Sequence, residues 1–347
     1  MMKDYVVFSR KYRPSKFEDV IGQNSITETL KRAIEKNCLA QAFLFCGPHG
    51  VGKTTCARIL AKKINEEQER NFDFNIFEID AASNNSVDDI RSLIDQVRFT
   101  PQKGRYKVYI IDEVHMLSQA AFNAFLKVLE FPPSHVIFIL ATTEKHKVLP
   151  TVISRCQIYE FKRISTNDIF EYLKILSKKE NIEASDEALF LISRKSEGSL
   201  RDALSFFDGL VSFSSEVKIS VELVRYQLGL PKQDYYFKIV EYLVKNDIPM
   251  SLLLFDEIFN LGSDPEIFLE GLESHLRDLL VSKDIRSHPL LKIDKQNYQK
   301  YLKQASEIPQ YFLIKALEIC YKVELTCKSS RNTRLYIEIA LMKIASI

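Results

Sequence analysis

The chain has 347 residues, of which 46% are hydrophobic, and its 48 Lys and Arg against 46 Asp and Glu give a formal charge of +2. That length holds two or three domains with cores of their own, and the near-neutral balance excludes a globally basic nucleic-acid binder, so any DNA contact has to be a local patch. No apolar run is long enough to span a bilayer, and the segment around Lys3, Asp4 and Arg10 is not a secretory signal. The six cysteines lack C-x-x-C spacing, which predicts reduced thiols in a cytoplasm.

In chain order, the first informative stretch is Ala42-Phe43-Leu44-Phe45-Cys46, an apolar run that reads as a buried strand. It leads directly into Gly47-Pro48-His49-Gly50-Val51-Gly52-Lys53-Thr54, a complete phosphate-loop pattern G-x-x-x-x-G-K-[ST]. The glycines let backbone N–H groups converge on phosphates; Lys53 brings charge to the β and γ phosphates, and Thr54 offers a hydroxyl to Mg²⁺. Cys56, Ile59, Leu60 and Ile64 recur at helical spacing, which places the phosphates at a helix N-terminus.

Ile76 to Ile79 reads as a second strand, and Ser86-Val87-Asp88-Asp89 as a capping box opening a helix whose inner face is Ile90, Leu93, Ile94 and Val97. Val108-Tyr109-Ile110-Ile111 then runs straight into Asp112-Glu113. Two carboxylates at the end of a buried strand are costly unless a cation or a water uses them, which assigns Asp112 to the Mg²⁺ shell and Glu113 to polarising the attacking water. Phe122, Phe125, Leu126 and Leu129 form a helical stripe stopped by Pro132-Pro133, and Val136 to Ala141 reads as another strand. Alternating strands and helices predict a parallel sheet covered on both faces. After Arg163 the strand signal disappears: Ile169, Tyr172, Leu173, Leu189 and Ile192 predict a small helical lid. From Pro231 onward, Phe237, Ile239, Val240 and Leu243, then Leu269, Leu272, Leu276 and Leu279, predict an all-helical domain. The expected division is 1–163, 164–230 and 231–347.

The motifs together resemble one family. Arg10-Lys11-Tyr12-Arg13-Pro14, Phe17 to Gln23, the phosphate loop, Glu78 to Ser83, Ile111 to Leu117, Ala141-Thr142-Thr143, Ser154-Arg155-Cys156 and Gly198 to Leu204 come in the order found in the gamma/tau subunits of bacterial DNA polymerase III. These are AAA+ ATPases that act as motors of the sliding-clamp loader. The resemblance is specific over residues 10 to 204 and rests beyond about residue 210 on length and helical character.

It implies an α/β AAA+ phosphate-loop ATPase followed by a helical lid and an all-helical collar. It implies ATP and Mg²⁺ as cofactors and a cytoplasmic hetero-oligomeric ring with delta- and delta-prime-type subunits. The remaining partners would be the clamp and primer–template DNA gripped through phosphates, with no membrane and no polymerase active site on this chain. Residue by residue, Thr143, with Thr142 as the nearby alternative, corresponds to the polar sensor of the γ-phosphate. Arg155 corresponds to the arginine that reaches a neighbour's ATP, and Arg201 to the second sensor on the lid. Thr55 joins the phosphate loop, and Tyr12, Arg13, Pro14, Val20 and Ile21 border the adenine. DNA phosphates are expected near Ser83 to Ser86, where Asn84 and Asn85 replace basic residues common in the family, with Phe99-Thr100-Pro101 nearer the clamp. His49 and His115 read as loop residues without metal-ligand spacing. The family's four-cysteine zinc module has no counterpart in Ile64 to Asn75, which carries neither Cys nor His, so no zinc site is expected. The chain ends at Ile347, ahead of where the long tau form carries helicase- and polymerase-binding domains, so the expectation is either that these are absent or that the gene makes only a gamma-like product.

Overall fold

The computed structural model describes all residues except 1–4, 66–74, 102–103, 214–217, 292–294 and 328–331. The stretch expected to lack a zinc module therefore falls mostly outside the described residues. The chain divides into two compact units, Met1–Ile219 and Ser220–Ile347.

The first unit is built on a five-stranded parallel sheet of β1 (Ala42–Cys46), β2 (Ile76–Asp80), β3 (Lys107–Asp112), β4 (Val136–Thr142) and β5 (Gln157–Glu160), in the order β2-β3-β4-β1-β5. Every residue of β1 and β4 is buried. That is why these strands read as continuous apolar runs rather than alternating ones. The pleat sends successive side chains to opposite faces. On one face Leu44, Tyr109, Ile111, Phe138 and Leu140 pack with Ile90, Leu93 and Phe125. On the other, Phe43, Phe45, Ile110, Ile137 and Ile139 pack with Leu30, Cys56, Ile59 and Leu60.

The helices of this unit are α1 (Phe8–Lys11), α2 (Asn24–Glu35), α3 (Lys53–Asn65), α4 (Val87–Val97), α5 (Gln119–Glu130), α6 (Pro150–Ile153), α7 (Thr166–Lys179), α8 (Asp186–Lys195) and α9 (Leu200–Phe213). α4 opens with the predicted capping box: Ser86 Oγ accepts from Asp89 N while Asp89 accepts from Ser86 N. α5 ends just before Pro132-Pro133, as expected from proline's missing N–H and ring clash. β5 was not among the predicted strands. Three of its four residues are exposed, so it has no apolar run to announce it, and pairing with β1 alone makes it a strand.

The second unit consists of α10 (Val221–Gln227), α11 (Gln233–Val244), α12 (Ile248–Asn260), α13 (Pro265–Ser282), α14 (Lys295–Glu307), α15 (Gln310–Cys327) and α16 (Thr333–Ala345) around one core. Within that core sits a histidine. His275, 1% exposed, has Nδ1 3.1 Å from Gln233 Nε2 and 2.8 Å from the Tyr301 hydroxyl, and Nε2 3.1 Å from Gln304 Oε1. Burial pushes its pKa down to about 4, with Gln304 opposing. The unfolded chain takes up a proton near the ordinary histidine value of 6.5, whereas the folded one resists until about 4. The stabilisation is therefore complete above about pH 6.5 and lost between there and pH 4, amounting to about 3 kcal/mol. Urea unfolding of the second unit, followed in the full chain, is expected to weaken across that window, and His275→Gln to flatten the dependence. An unchanged pH slope in the variant would exclude His275 as its source.

Candidate nucleotide-binding site

The sheet order fixes the site. β4 lies between β1 and β3, so the loop leaving β1, the acidic residues ending β3 and the threonines ending β4 meet along one carboxyl edge, where ligands bind in open parallel sheets. Register Cys46↔Thr142 puts the start of the phosphate loop level with the end of β4.

The phosphate loop runs from β1 to the first turn of α3, and four of its features are specific. Gly47, Gly50 and Gly52 all have positive φ, of 148°, 68° and 104°, conformations that favour glycine. Lys53 is 6% exposed, and its Nζ donates to Gly47 O at 2.8 Å and Pro48 O at 2.7 Å. Burial lowers its pKa, and the Glu113 and Asp112 carboxylates oppose that fall. Thr54 Oγ1 donates to Asp112 Oδ2 at 2.7 Å, so the loop hydroxyl and the strand-end carboxylate meet directly.

Asp112 uses its other oxygen to hold the next residue, with Oδ1 accepting from Glu113 N at 3.0 Å. Glu113 adopts the left-handed conformation, φ 48° and ψ 45°, uncommon for a residue with a side chain and a place where strain is stored at functional sites. Its Oε2 accepts from Thr143 N at 3.1 Å and from Thr143 Oγ1 at 3.0 Å. Thr142 differs: its hydroxyl is buried and meets His115 Nδ1 and Glu144 N.

A solvent-open cleft lies over the loop. Residues His49 to Thr55, Asp112 and Glu113 line its polar side, and Tyr12, Arg13, Pro14, Val20 and Ile21 line another. Val20, 6% exposed, also belongs to the core behind it, so that residue serves both packing and lining. Arg201 adds positive charge near Lys53, and Arg13 lines the same cleft; burial, then Arg58 and Arg201, depress the Arg13 pKa. A bound polyanion would relieve that crowding of cations. Gly47, Pro48, Thr143 and Arg155 do not line the cleft. The first two cap Lys53, Thr143 contacts Glu113, and Arg155 lies on the surface with Nη2 2.6 Å from Glu130 Oε1 and Nη1 2.8 Å from Thr151 O.

Several lining and supporting residues escaped the sequence reading. Ser9 and Ile164 line the cleft without any motif to mark them, and Leu200 and Leu204 line it from within the Gly198 to Leu204 motif without having been singled out. Gln23, 3% exposed, donates to Lys162 O at 2.7 Å and accepts from Lys162 N at 3.4 Å, joining the segment before α2 to the connection after β5. Its signal was the Gly22-Gln23 pair already counted in the motif, but its partner is distant in sequence. The region Ser83 to Ser86 departs from a ready-made phosphate site. Asp89 N, Ala82 N and the Ser83 hydroxyl are already engaged, and Asp88 and Asp89 make the first turn of α4 acidic.

Comparison with known proteins fits this geometry. Residues 22–165 match a family model described as DNA polymerase III, delta subunit, and residues 168–216 one described as DNA polymerase III clamp loader subunit, ATPase lid domain. Residues 219–347 match DNA polymerase III subunits gamma and tau domain III. The DNA polymerase III subunit gamma of Buchnera aphidicola subsp. Acyrthosiphon pisum is 33% identical, with 99% of this chain and 99% of that one aligned. The chain belongs to the gamma/tau family of DNA polymerase III clamp-loader subunits. The DNA polymerase III subunit tau of Bacillus subtilis is 38% identical over 98% of this chain, which spans 63% of that longer relative. Among solved structures, the RuvB Holliday junction branch migration motor of Thermotoga maritima aligns with a TM-score of 0.51 at 21% identity, over 67% of this chain and 79% of that one. This likeness shows the AAA+ fold. No described helix is long and apolar enough to cross a membrane.

The lid docks on the loop at one point, and a substitution there tests it. Gly50 O accepts from Leu200 N at 3.1 Å and Arg201 N at 3.4 Å, and a side chain at Gly50 would overlap the Ser199 hydroxyl. Gly50→Ala is therefore expected to weaken nucleotide binding by roughly tenfold or more, through both strain and overlap. Adding Ser199→Gly removes the overlap but not the strain and should restore part of the affinity. Titration with a fluorescent ATP analogue reads both; full affinity in Gly50→Ala would refute the docking.

Proposed function

We propose that the chain binds Mg²⁺-ATP in this cleft and hydrolyses it as a motor subunit of a sliding-clamp loader, in a cytoplasmic ring with delta- and delta-prime-type subunits. ATP binding would favour the assembly that opens the clamp and grips primer–template DNA through phosphates, and hydrolysis would release both. Nucleotidyl transfer belongs to other subunits of the holoenzyme. The observation that carries the reading is the convergence of Lys53, the Thr54–Asp112 pair and Glu113 on one cleft at the N-terminus of α3.

The donor set suits the metal: a hydroxyl and a carboxylate in direct contact are hard oxygen ligands, without sulfur or imidazole. Thr54 and Asp112 would hold Mg²⁺ directly or through water, and the ion would neutralise charge across the β- and γ-phosphates. Lys53 binds the same oxygens, Glu113 orients and polarises the attacking water, and Thr143 ties the end of β4 to Glu113. Arg201 holds the polyphosphate side of the nucleotide; Tyr12, Arg13, Pro14, Val20 and Ile21 border its base. Residues 1–163 would be the ATPase domain, 164–230 the lid and 231–347 the collar.

Two substitutions separate binding from chemistry. Lys53→Ala should abolish nucleotide binding or turnover, whereas Glu113→Gln should keep ATP bound and lose hydrolysis, since only Lys53 neutralises ground-state phosphate charge. Equilibrium binding and steady-state ATPase read both, and near-normal turnover in either variant would sink the assignment.

Arg155 is proposed to act on a neighbouring subunit's ATP. It lies outside its own chain's cleft, which supports action in trans. Arg155→Ala should still bind ATP yet fail to support hydrolysis next door, a loss on the order of 10³ to 10⁵ in rate. Mixed with Lys53→Ala, it should regain some ATPase, because the Lys53 variant's intact Arg155 can face the other variant's intact Lys53. No recovery in oligomers shown to hold both variants would overturn the in-trans role.

A further inference from the structure

His115 follows the acidic pair in the short 3₁₀ turn Val114–Met116, and its side chain is only 9% exposed. Its Nδ1 faces two groups at once, Glu113 Oε2 at 3.3 Å and the Thr142 hydroxyl at 3.0 Å. Its Nε2 lies 3.6 Å from Glu144 Oε2, and Glu144 N donates to that same Thr142 hydroxyl at 3.0 Å. Glu113 Oε2 is also the oxygen that receives both Thr143 donors. One carboxylate oxygen is therefore hydrogen-bonded by the end of β4 on one side and closely approached by an imidazole on the other, whose Nδ1 makes its own hydrogen bond to the Thr142 hydroxyl of β4.

A carboxylate only accepts hydrogen bonds, so the 3.3 Å approach is attractive when Nδ1 carries the hydrogen. The left-handed backbone of Glu113 aims its side chain but leaves the side-chain torsions free. Contacts at the far end are needed to hold the carboxylate to one arrangement. We propose that His115 is a positioning residue for Glu113: through Nδ1 it fixes the carboxylate beside Thr143 and couples its placement to the end of β4. This rests on the proposed role of Glu113 in polarising the attacking water. An imidazole that only filled volume would be replaceable by an apolar side chain; one that sets a carboxylate position is replaceable only by a group with a donor at the same place. Misplacing a reacting group by about 1 Å costs up to about 100-fold in rate.

The test uses the full chain in its assembled complex, with ATP turnover at saturating ATP, affinity for a non-hydrolysable ATP analogue and thermal unfolding measured for each variant. In His115→Asn the amide nitrogen overlays Nδ1; in His115→Gln it overlays Nε2; His115→Leu keeps volume alone. His115→Leu and His115→Gln should lose about 10- to 100-fold in kcat with analogue affinity within about threefold of wild type, and His115→Asn should retain most of the rate. Wild-type kcat in His115→Leu, an equal loss in His115→Asn and His115→Leu, or a kcat loss that tracks lost affinity and lower thermal stability would each overturn the proposal. Glu113→Gln serves as the reference. If it hydrolyses ATP normally, the role of Glu113 itself falls; if it is inactive while His115→Leu is normal, only the positioning role falls.

Discussion

The site depends on a single constraint, the placement of the fully buried β4 between β1 and β3 in the parallel sheet. The phosphate loop and the acidic pair come from strands that do not touch. Their contact, the 2.7 Å bond from Thr54 to Asp112, forms across the end of the strand between them. The register of β4 against both neighbours sets the height at which they meet. A slip of one residue in that register would turn its side chains to the opposite faces and move Thr142 and Thr143 away from the acidic pair. The apolar packing of β4 on both faces of the sheet, with Phe138 against Tyr109 and Phe125 on one and Ile137 and Ile139 in the cluster with Phe43, Phe45 and Ile110 on the other, opposes that slip.

Burying ionisable groups at this edge is costly, and the structure offsets the cost group by group. Lys53 loses hydration but gains two loop carbonyls and two carboxylates in its surroundings. Asp112 divides its oxygens between Thr54 and the backbone N–H that holds Glu113 in its left-handed conformation. Glu113 is in turn held by Thr143. Each polar group is thus positioned by the next, from the loop through the acidic pair to β4. The lid joins through backbone and side chain alike: Gly50 O receives the first N–H groups of α9, and the exposed His49 Nε2 lies 3.1 Å from Asp202 Oδ2.

The parts of this arrangement that were legible in the sequence are those carried by local pattern. Continuous apolar runs marked β1, β3 and β4, the glycine spacing marked the loop, and Ser86 with Asp89 marked the start of α4. β5 was missed because an exposed edge strand has no apolar run, and its identity comes from pairing with Phe43 to Cys46, far away in the chain. The contacts of His115 and Gln23 were invisible for a related reason. Each side chain is ordinary at its own position and acquires its part from residues brought near by the fold, Thr142 for one and Lys162 for the other. At Ser83 to Ser86 the capping box legible in the sequence engages the backbone N–H groups of Ser86 and Asp89.

Arg155 illustrates how a surface charge can be held ready without being committed. Its guanidinium pairs with Glu130, both groups about a third or more exposed, and takes a backbone carbonyl from Thr151. An ion pair of that exposure contributes on the order of 0–1 kcal/mol, screened by salt. Exchanging such a carboxylate for the triphosphate of an adjacent subunit costs little in the first contact and gains a stronger, more highly charged partner in a less solvated place. The same weak pairing would be a poor choice for a structural bridge, since removing it leaves two solvated charges and little destabilisation. Its geometry suits a group whose proposed work is done on another subunit.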